Sequence, residues 1–342
     1  MRRNRRERLI RDLLRSPEPS VRWRVRVGVL GESRDDPPVR RLEEVIRKSP
    51  RVRALLSHQH APYRPGTARN VYYKWQGIHW LLASFVDLGY PRGDPALEPL
   101  IDRALALWLR SSYFDTYSAS TRADLGRHAG VPVMRGRARR CGSQHGSALR
   151  YVTALGWPDP RCSQLADLLR RWQWPDGGWN CDTHPEADSS SFMETLLPMR
   201  GLAAYAAASG DPKAREAATA ASEVFLGRRL FRRKSTGEIM DPEFLKLHYP
   251  LYWHYDVLSG LKGIAEVGRI LDPRCSEALD WLEAKELPGG GWPADRRYYQ
   301  VSRTFRSSSE FVGWGTPGRR LRNEWVTTEA LQVLRAAGRL SA

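Results

Sequence analysis

Long apolar runs are absent from this sequence of 342 residues. A membrane-spanning helix needs about 18 consecutive apolar residues, so we expect no membrane span. The first residues, MRRNRRERLIRDLLR, are basic but lack the apolar core and the small-residue cleavage site of a secretory signal. We therefore expect a cytoplasmic protein. A P-loop, a dinucleotide fingerprint and a Gly-x-Ser-x-Gly elbow are also missing.

Cysteine is scarce, with only Cys141, Cys162, Cys181 and Cys275 in the chain. Without a secretory signal, a disulfide framework is not expected. Buried thiols or metal ligands are better interpretations. Cys162 and Cys275 occupy matching positions in two similar turns, PDPRC and LDPRC, which indicates a structural role for these two.

Lysine is scarce as well, since seven of the 55 basic residues are Lys and 48 are Arg. With 38 acidic residues the net charge is +17, which favours an anionic partner, either nucleic acid or an anionic small molecule. The arginine bias is also typical of a GC-rich genome, and arginine is spread along the chain. Nucleic acid is therefore a candidate partner but not the favoured one.

A repeated pattern begins near residue 70. Each full copy reads as an apolar helix, a turn rich in Gly, Asp or Pro, and an amphipathic second helix. Asp-Pro in these turns suits a helix start, with Asp as the N-cap and Pro in the first turn. The copies span 72–109, 141–172, 189–226, 254–287 and, truncated, 323–340.

The asymmetry within each copy predicts the fold class. Helical hairpins bury their apolar faces only by stacking on neighbours, and a first helix apolar on most faces is typical of one packed on both sides. We therefore expect an all-α protein in which inner and outer helices form a double ring, an α/α toroid, over 63–342. An open solenoid is the alternative. Residues 1–62 are predicted to form an N-terminal helical, HEAT-like extension.

Two Gly-rich turns carry a resemblance to known proteins: WQWPDGGWNCD (172–182) and LPGGGWPAD (287–295). Gln173, Gly177, Gly178 and Trp179 resemble the Gln-Trp repeats of squalene and oxidosqualene cyclases and the GG-aromatic turns of protein prenyltransferase β-subunits. The resemblance covers roughly 65–340 and is strongest to bacterial squalene cyclase-like proteins of unassigned activity. It implies an α/α toroid, a fold that supports several chemistries.

The activities of these families transfer only in part. The D-x-D-D motif of protonating cyclases is missing, so that chemistry is not expected. The prenyltransferase resemblance implies a zinc site of Asp, Cys and His. Its G-G-aromatic-x8-D-x-C pattern gives Asp188 here but Ser190 in place of the Cys, and His254 lies within one position of the expected His. Transfer of a prenyl group to protein is therefore not expected.

In a toroid the first helices of the repeats begin at one rim, which brings distant residues together. On this rim we expect a zinc site, because Zn²⁺ takes S and N ligands and catalytic zinc keeps one position open. The predicted ligands are Cys141, Cys181 and His254, with Asp182, Asp188 and His184 in reserve. The alternative is that the thiols are small core residues and His254 caps its helix.

The same rim gives candidates for catalysis and substrate binding. Asp256, Lys74, Glu324 and His145 are the predicted catalytic groups. The predicted substrate-binding residues are the aromatic side chains Tyr72, Tyr73, Trp75, Tyr252, Trp253 and Trp325. Together they predict a zinc-dependent enzyme of specialised metabolism that acts by transfer, cyclisation, elimination or hydrolysis. Its substrate would be a partly apolar small molecule that could also be anionic. The alternatives are a basic nucleic-acid-binding or repair protein and a non-catalytic interaction scaffold.

Overall fold

The structure, a computed structural model, describes residues 2–57 and 71–340. This part of the chain is mostly helical, and none of its helices combines the length and apolar character needed to cross a bilayer. Its α-helices are α1 (Arg2–Leu13), α2 (Pro19–Arg24), α3 (Pro37–Arg47), α4 (Pro50–Ser57), α5 (Ile78–Leu88), α6 (Glu98–Trp108), α7 (Gly142–Ala154), α8 (Arg161–Trp172), α9 (Phe192–Ser209), α10 (Pro212–Leu226), α11 (Val257–Glu266), α12 (Ser276–Ala284) and α13 (Glu324–Ala336).

Two small sheets lie in the segments between helices. The first contains β1 (Thr116–Ser118), β2 (Val131–Met134) and β3 (Arg137–Ala138), with β1 parallel and β3 antiparallel to β2. The second pairs β4 (Gln300–Val301) with β5 (Ser309–Glu310) in parallel. These strands are short connections between helices, so the chain keeps its mainly helical character.

Three of the predicted repeats are pairs of helices that pack against each other in the structure: α7 and α8, α9 and α10, and α11 and α12. The helices of the first repeat, α5 and α6, are present but belong to different compact units, and α13 forms the truncated last copy. The predicted aspartate caps are present, since carboxylate oxygens of Asp94, Asp211 and Asp272 accept hydrogen bonds from the following backbone N–H groups. The first helix α7 is buried along most of its length, whereas α8 buries a narrower stripe. The helical hairpins predicted for the second, third and fourth copies are therefore confirmed.

The chain divides into two compact units. The first unit contains Met1–Arg92, Arg229–Tyr252 and Asp256–Ala342, and the second contains Gly93–Arg228 with Trp253–Tyr255. The boundary predicted between residues 62 and 63 lies outside the described residues. In the first unit the N-terminal helices contact the C-terminal part of the chain, as in the ion pair of 2.9 Å between Arg6 Nη2 and Glu286 Oε2.

A buried ionic cluster lies in the core of the first unit. Arg24 pairs with Glu329 at 2.8 Å and donates a hydrogen bond to the Tyr249 hydroxyl at 3.0 Å. Lys262 Nζ lies 2.6 Å from the same Glu329 carboxylate. Because a buried charge is tolerated only when it is paired and hydrogen-bonded, this cluster ties α2 to α11 and α13.

The core of the second unit depends on a close contact between α7 and α9. Gly146 on α7 faces Pro198 and Gly201 on α9. A Cβ added to Gly146 would lie 2.2 Å from the backbone nitrogen of Pro198, and one added to Gly201 would lie 2.3 Å from the Gly146 carbonyl oxygen. Glycine is required at this crossing because the two backbones touch.

The first Gly-rich turn connects α8 to α9 and anchors a buried tryptophan. Gly177 has a φ of +95°, and a Cβ there would meet the carbonyl oxygen of Ala220 at 2.4 Å. The Trp179 side chain is fully buried and donates its indole N–H to the Leu169 carbonyl at 2.9 Å. Its backbone N–H donates to the Thr195 hydroxyl at 3.1 Å. The glycine therefore permits the sharp turn, and the tryptophan packs between the helices it connects.

The second Gly-rich turn repeats this geometry between α12 and α13. Gly290, which like Gly177 lies two residues before the tryptophan, has a φ of +89°, and Trp292 is fully buried. The Trp292 indole donates to the Leu282 carbonyl at 2.7 Å, and its backbone N–H donates to the Thr327 hydroxyl at 3.0 Å. The internal repeat thus extends to individual hydrogen bonds.

Candidate metal centre

Three side chains of the second unit converge beside the first Gly-rich turn: Cys141, Cys181 and Glu194. Cys141 is the N-cap residue of α7, Cys181 lies two residues after Trp179, and Glu194 lies in the first turn of α9. One ligand atom from each lies within 4.8 Å of the other two. Within residues 2–57 and 71–340 this is the only group of three or more His, Cys, Asp or Glu side chains that meets this condition.

The contacts within this group are polar. The Cys181 thiol donates a hydrogen bond to Glu194 Oε1 at 3.6 Å. The other carboxylate oxygen, Oε2, accepts the backbone N–H of Ser143 in α7 at 3.1 Å. Cys141, although it occupies the N-cap position, makes no capping bond with its side chain. Glu194 therefore caps α7 from the neighbouring helix while facing both sulfur atoms, and all three side chains are half-buried.

The two thiols differ in acidity. The interaction with the Cys181 side chain lowers the pKa of Cys141, and the Arg140 guanidinium acts in the same direction against burial and the Glu194 charge. The interaction with Cys141, together with burial, raises the pKa of Cys181. A cation bound by both sulfur atoms would favour the deprotonated form of both thiols.

The second Gly-rich turn shows that the repeat can fold without these polar groups. Two residues after its buried tryptophan it has Ala294 where the first turn has Cys181. Thr195 and Thr327 are matching residues, because each accepts the backbone N–H of the buried tryptophan in its turn. The residue before Thr327 is Val326, whereas the residue before Thr195 is Glu194. Both Ala294 and Val326 are buried. The turn therefore folds with apolar residues at these positions, and the thiol and carboxylate of the first copy are not needed for its architecture.

Glu194 was not among the residues predicted from the sequence. It lies three residues after Ser191, the N-cap residue of α9, so the pattern resembles a capping box, which has a structural meaning. The Ser191 hydroxyl does accept the Glu194 backbone N–H at 3.5 Å, but the carboxylate points to Ser143 and Cys181. The signal that could have identified Glu194 is its difference from Val326, the residue at the matching position of the second repeat.

Cys141 and Cys181, two of the three predicted ligands, lie together, but His254 is not in this group. The His254 ring stacks on Trp253 with centroids 4.2 Å apart and is half-buried. The reserve candidates Asp182, His184 and Asp188 are exposed in the loop after Cys181. Asp182 accepts the backbone N–H of His184 at 2.8 Å, which shapes that loop.

His145, predicted as a catalytic group, lies one turn into α7 and is fully buried. Its ring contacts three aromatic side chains, those of Trp108, Tyr113 and Trp172, with centroid separations of 4.8–5.6 Å. This surrounding is typical of a core histidine.

The other predicted catalytic groups belong to the first unit. Asp256 is buried and caps α11 by accepting the Ser259 N–H at 2.7 Å. Its second oxygen lies 3.1 Å from His248 Nδ1. Glu324 accepts a hydrogen bond from the Ser16 hydroxyl at 2.9 Å, and Lys74 Nζ lies 5.7 Å from the centre of the Trp75 ring. The contacts of Asp256 and Glu324 hold helix ends in place.

The predicted substrate-binding aromatics of the first unit pack into two clusters. Trp75 and Tyr252 stack face to face with centroids 4.0 Å apart, and both are buried. Tyr72 packs beside this stack against Trp80, and Tyr73 contacts Phe305. Trp325 belongs to the other cluster, where it stacks on Tyr249 at 5.2 Å. Trp253, in the second unit, stacks on His254.

A buried acid beside the first cluster was also missed. Glu310 is 2% exposed and accepts hydrogen bonds from the Tyr252 hydroxyl at 3.2 Å and from the Phe311 N–H at 2.8 Å. Burial raises its pKa to about 7, although these hydrogen bonds oppose the shift. No motif in the sequence marks this residue.

Comparison with known proteins gives no family. The sequence matches no protein-family model, and no curated protein matches it significantly.

Proposed function

We propose that this chain is a zinc-dependent enzyme with an α/α-toroid fold, and that Cys141, Cys181 and Glu194 hold the metal. The observation that carries the proposal is the convergence of two sulfur atoms and one carboxylate oxygen within 4.8 Å of one another. Two thiolates and one carboxylate are a ligand set that suits Zn²⁺. Glu194 takes the third place, for which the sequence suggested His254.

The distance between Cys181 and Glu194 fits tetrahedral coordination. Zinc–sulfur bonds of about 2.3 Å and zinc–oxygen bonds of about 2.1 Å place a sulfur and an oxygen ligand about 3.6 Å apart. The distance from Cys181 Sγ to Glu194 Oε1 is 3.6 Å. Three protein ligands would leave the fourth position for water or substrate, as in catalytic sites.

The protein groups around the centre have definable roles. Bound zinc would supply a Lewis acid that polarises a substrate oxygen or stabilises a thiolate. The Ser143 N–H holds one oxygen of Glu194, so the other oxygen is kept toward the sulfur atoms. The guanidinium of Arg140 acts on Cys141 and would partly balance two thiolates and a carboxylate. It also gives an anionic substrate a positive neighbour.

The proposed ring of helices is supported by the helix pairs and by the two matching Gly-rich turns. The substrate class of the proposed enzyme is the one expected from the sequence, a partly apolar small molecule of specialised metabolism that could also be anionic. The aromatic content and the net charge of +17 support that class.

Metal analysis of purified protein tests the proposal. We expect about one zinc per chain, because the described residues offer one such group, and we expect Cys141→Ala and Cys181→Ala to lose it. Cys162→Ala is the matched control, since Cys162 lies in the same unit and is buried away from the centre. Protein that refolds normally but takes up no zinc from a zinc-buffered solution would contradict the proposal.

A further inference from the structure

The pair formed by Cys141 and Cys181 has a second chemical property besides metal binding. Its two sulfur atoms lie within 4.8 Å of each other, and both residues are half-buried rather than fully buried. The other two cysteines, Cys162 and Cys275, are buried. Reactivity toward a dissolved oxidant follows exposure, so this pair is the accessible one.

The segments that carry the pair lie side by side. Arg139 and Asn180 form an isolated parallel β-bridge, Cys141 follows two residues after Arg139, and Cys181 follows one residue after Asn180. The two sulfur atoms lie within 4.8 Å of each other, so a small movement of the side chains would bring them to the bonding distance of about 2.05 Å.

We propose that Cys141 and Cys181, when no metal is bound, form a peroxide-sensitive dithiol that closes to an intramolecular disulfide. The oxidant is hydrogen peroxide. One thiol sulfur attacks the peroxide, so that an S–O bond forms, the O–O bond breaks and one water leaves. The sulfur of the second thiol then attacks the sulfenic acid. An S–S bond forms, the S–O bond breaks, and the proton of the second thiol leaves with the hydroxide as a second water. Two thiols are oxidised and one peroxide is reduced to two waters.

This inference rests on the proposed function in one respect, which is the competition with metal. The sulfur electron pairs that would bind zinc are those that react with peroxide. Disulfide formation and metal binding at this pair therefore exclude each other. Peroxide would switch off the proposed enzyme only when the centre has lost its metal, and zinc would protect the thiols.

The test treats the metal-free full-length chain with hydrogen peroxide and follows its mass and its thiol content. We expect the loss of two hydrogens per chain, a cross-linked pair of peptides containing Cys141 and Cys181, and full recovery after a dithiol reductant. Cys141→Ser and Cys181→Ser should each abolish the cross-link. Cys162→Ser and Cys275→Ser should keep it. Zinc added beforehand should slow the reaction.

Several outcomes would overturn the inference: addition of oxygen without loss of hydrogens, a cross-link that involves another cysteine, or unreacted thiols under conditions that oxidise free cysteine. The two proposals fail separately. If the disulfide forms but the protein binds no zinc, the proposed function is contradicted and this inference stands. If the protein binds zinc but its metal-free form gives no disulfide, this inference is contradicted and the proposed function stands.

Discussion

At the scale of single residues, the site is defined by Glu194 rather than by a histidine. The carboxylate has two roles that can be separated, because one oxygen caps α7 through the Ser143 N–H and the other faces Cys181. The corresponding Val326 in the second repeat has neither role. Sequence reasoning found both cysteines, since thiols are few, but an acidic residue in the first turn of a helix is common and is usually structural.

Substitution of Glu194 separates these roles. Glu194→Gln retains an amide oxygen that can accept from Ser143 but removes the charged ligand. We expect zinc affinity to fall by more than about 100-fold, since even residues that only orient ligands contribute about 10–100-fold. Glu194→Gln should change the thermal stability of the metal-free protein only a little. Glu194→Ala should lower both the zinc affinity and the thermal stability, because it also removes the acceptor for the Ser143 N–H. Competition with a chelator and thermal unfolding measure the two effects. Unchanged zinc affinity in Glu194→Gln would exclude the carboxylate as a ligand.

The buried pair of His248 and Asp256 predicts a pH dependence of stability. Burial opposes the charged form of His248, but the charge and hydrogen bond of Asp256 outweigh it and raise the pKa of His248 above its usual range. The folded protein therefore binds the proton more tightly than the unfolded chain. The stabilisation is fully present below the unfolded pKa of about 6.5 and is lost as the pH rises through the folded value.

Urea unfolding of the wild type and His248→Gln at pH 6 and pH 9 checks this sign. The difference in the free energy of unfolding between the two proteins should be larger at pH 6 than at pH 9. The comparison with the variant removes the contributions of other groups, including Glu310. A difference that stays constant or grows with pH would show that His248 is neutral in the folded protein.

At the scale of helices and turns, the sequence was most informative. The helix pairs, their aspartate caps and the role of the Gly-Trp turns were predictable, because they depend on local patterns of apolar, capping and turn residues. The glycine contact between α7 and α9 was not predictable. A glycine within a helical pattern shows no partner until the neighbouring helix is known, and Gly146 meets Pro198 and Gly201 only in the folded chain.

This contact predicts that the small substitution Gly146→Ala lowers the stability of the protein. An alanine in a helix is normally more favourable than glycine by about 1 kcal/mol. Gly146→Ala should instead destabilise the protein by about 1–3 kcal/mol, because the added methyl group meets backbone that cannot rotate away. Gly289→Ala is the control, since a Cβ there meets nothing within 4 Å. Denaturant unfolding would contradict the packing if Gly146→Ala were as stable as the wild type.

At the scale of the whole chain, the structure contains two compact units, a division that was not predicted from the sequence. The first unit joins the N-terminal helices to the C-terminal part of the chain. Such long-range pairing depends on single contacts, for example between Arg6 and Glu286 or between Arg24 and Glu329. No local pattern marks which arginine meets which carboxylate, so this organisation could not be read from the sequence.

The charge of the whole chain gives a test of the nucleic-acid alternative. Many of the basic residues form ion pairs with carboxylates within the fold, among them Arg6, Arg24, Arg34, Arg51 and Arg161, but such pairing leaves the net charge of +17 unchanged. This net charge should give weak, sequence-independent binding to duplex DNA at low ionic strength, lost near about 0.15 M salt through counterion competition. Fluorescence anisotropy over a salt series measures it. Tight binding that persists at that salt concentration would favour a nucleic-acid function.

The most direct test of the metal centre is the absorption spectrum of the protein loaded with cobalt(II) in place of zinc. Coordination by Cys141, Cys181 and Glu194 predicts thiolate-to-cobalt charge-transfer bands in the near ultraviolet and intense visible bands typical of four-coordinate geometry. Both should weaken in Cys141→Ser and in Cys181→Ser and persist in Cys162→Ser. A spectrum without thiolate charge transfer, or one unchanged by loss of either cysteine, would contradict a metal centre at these residues.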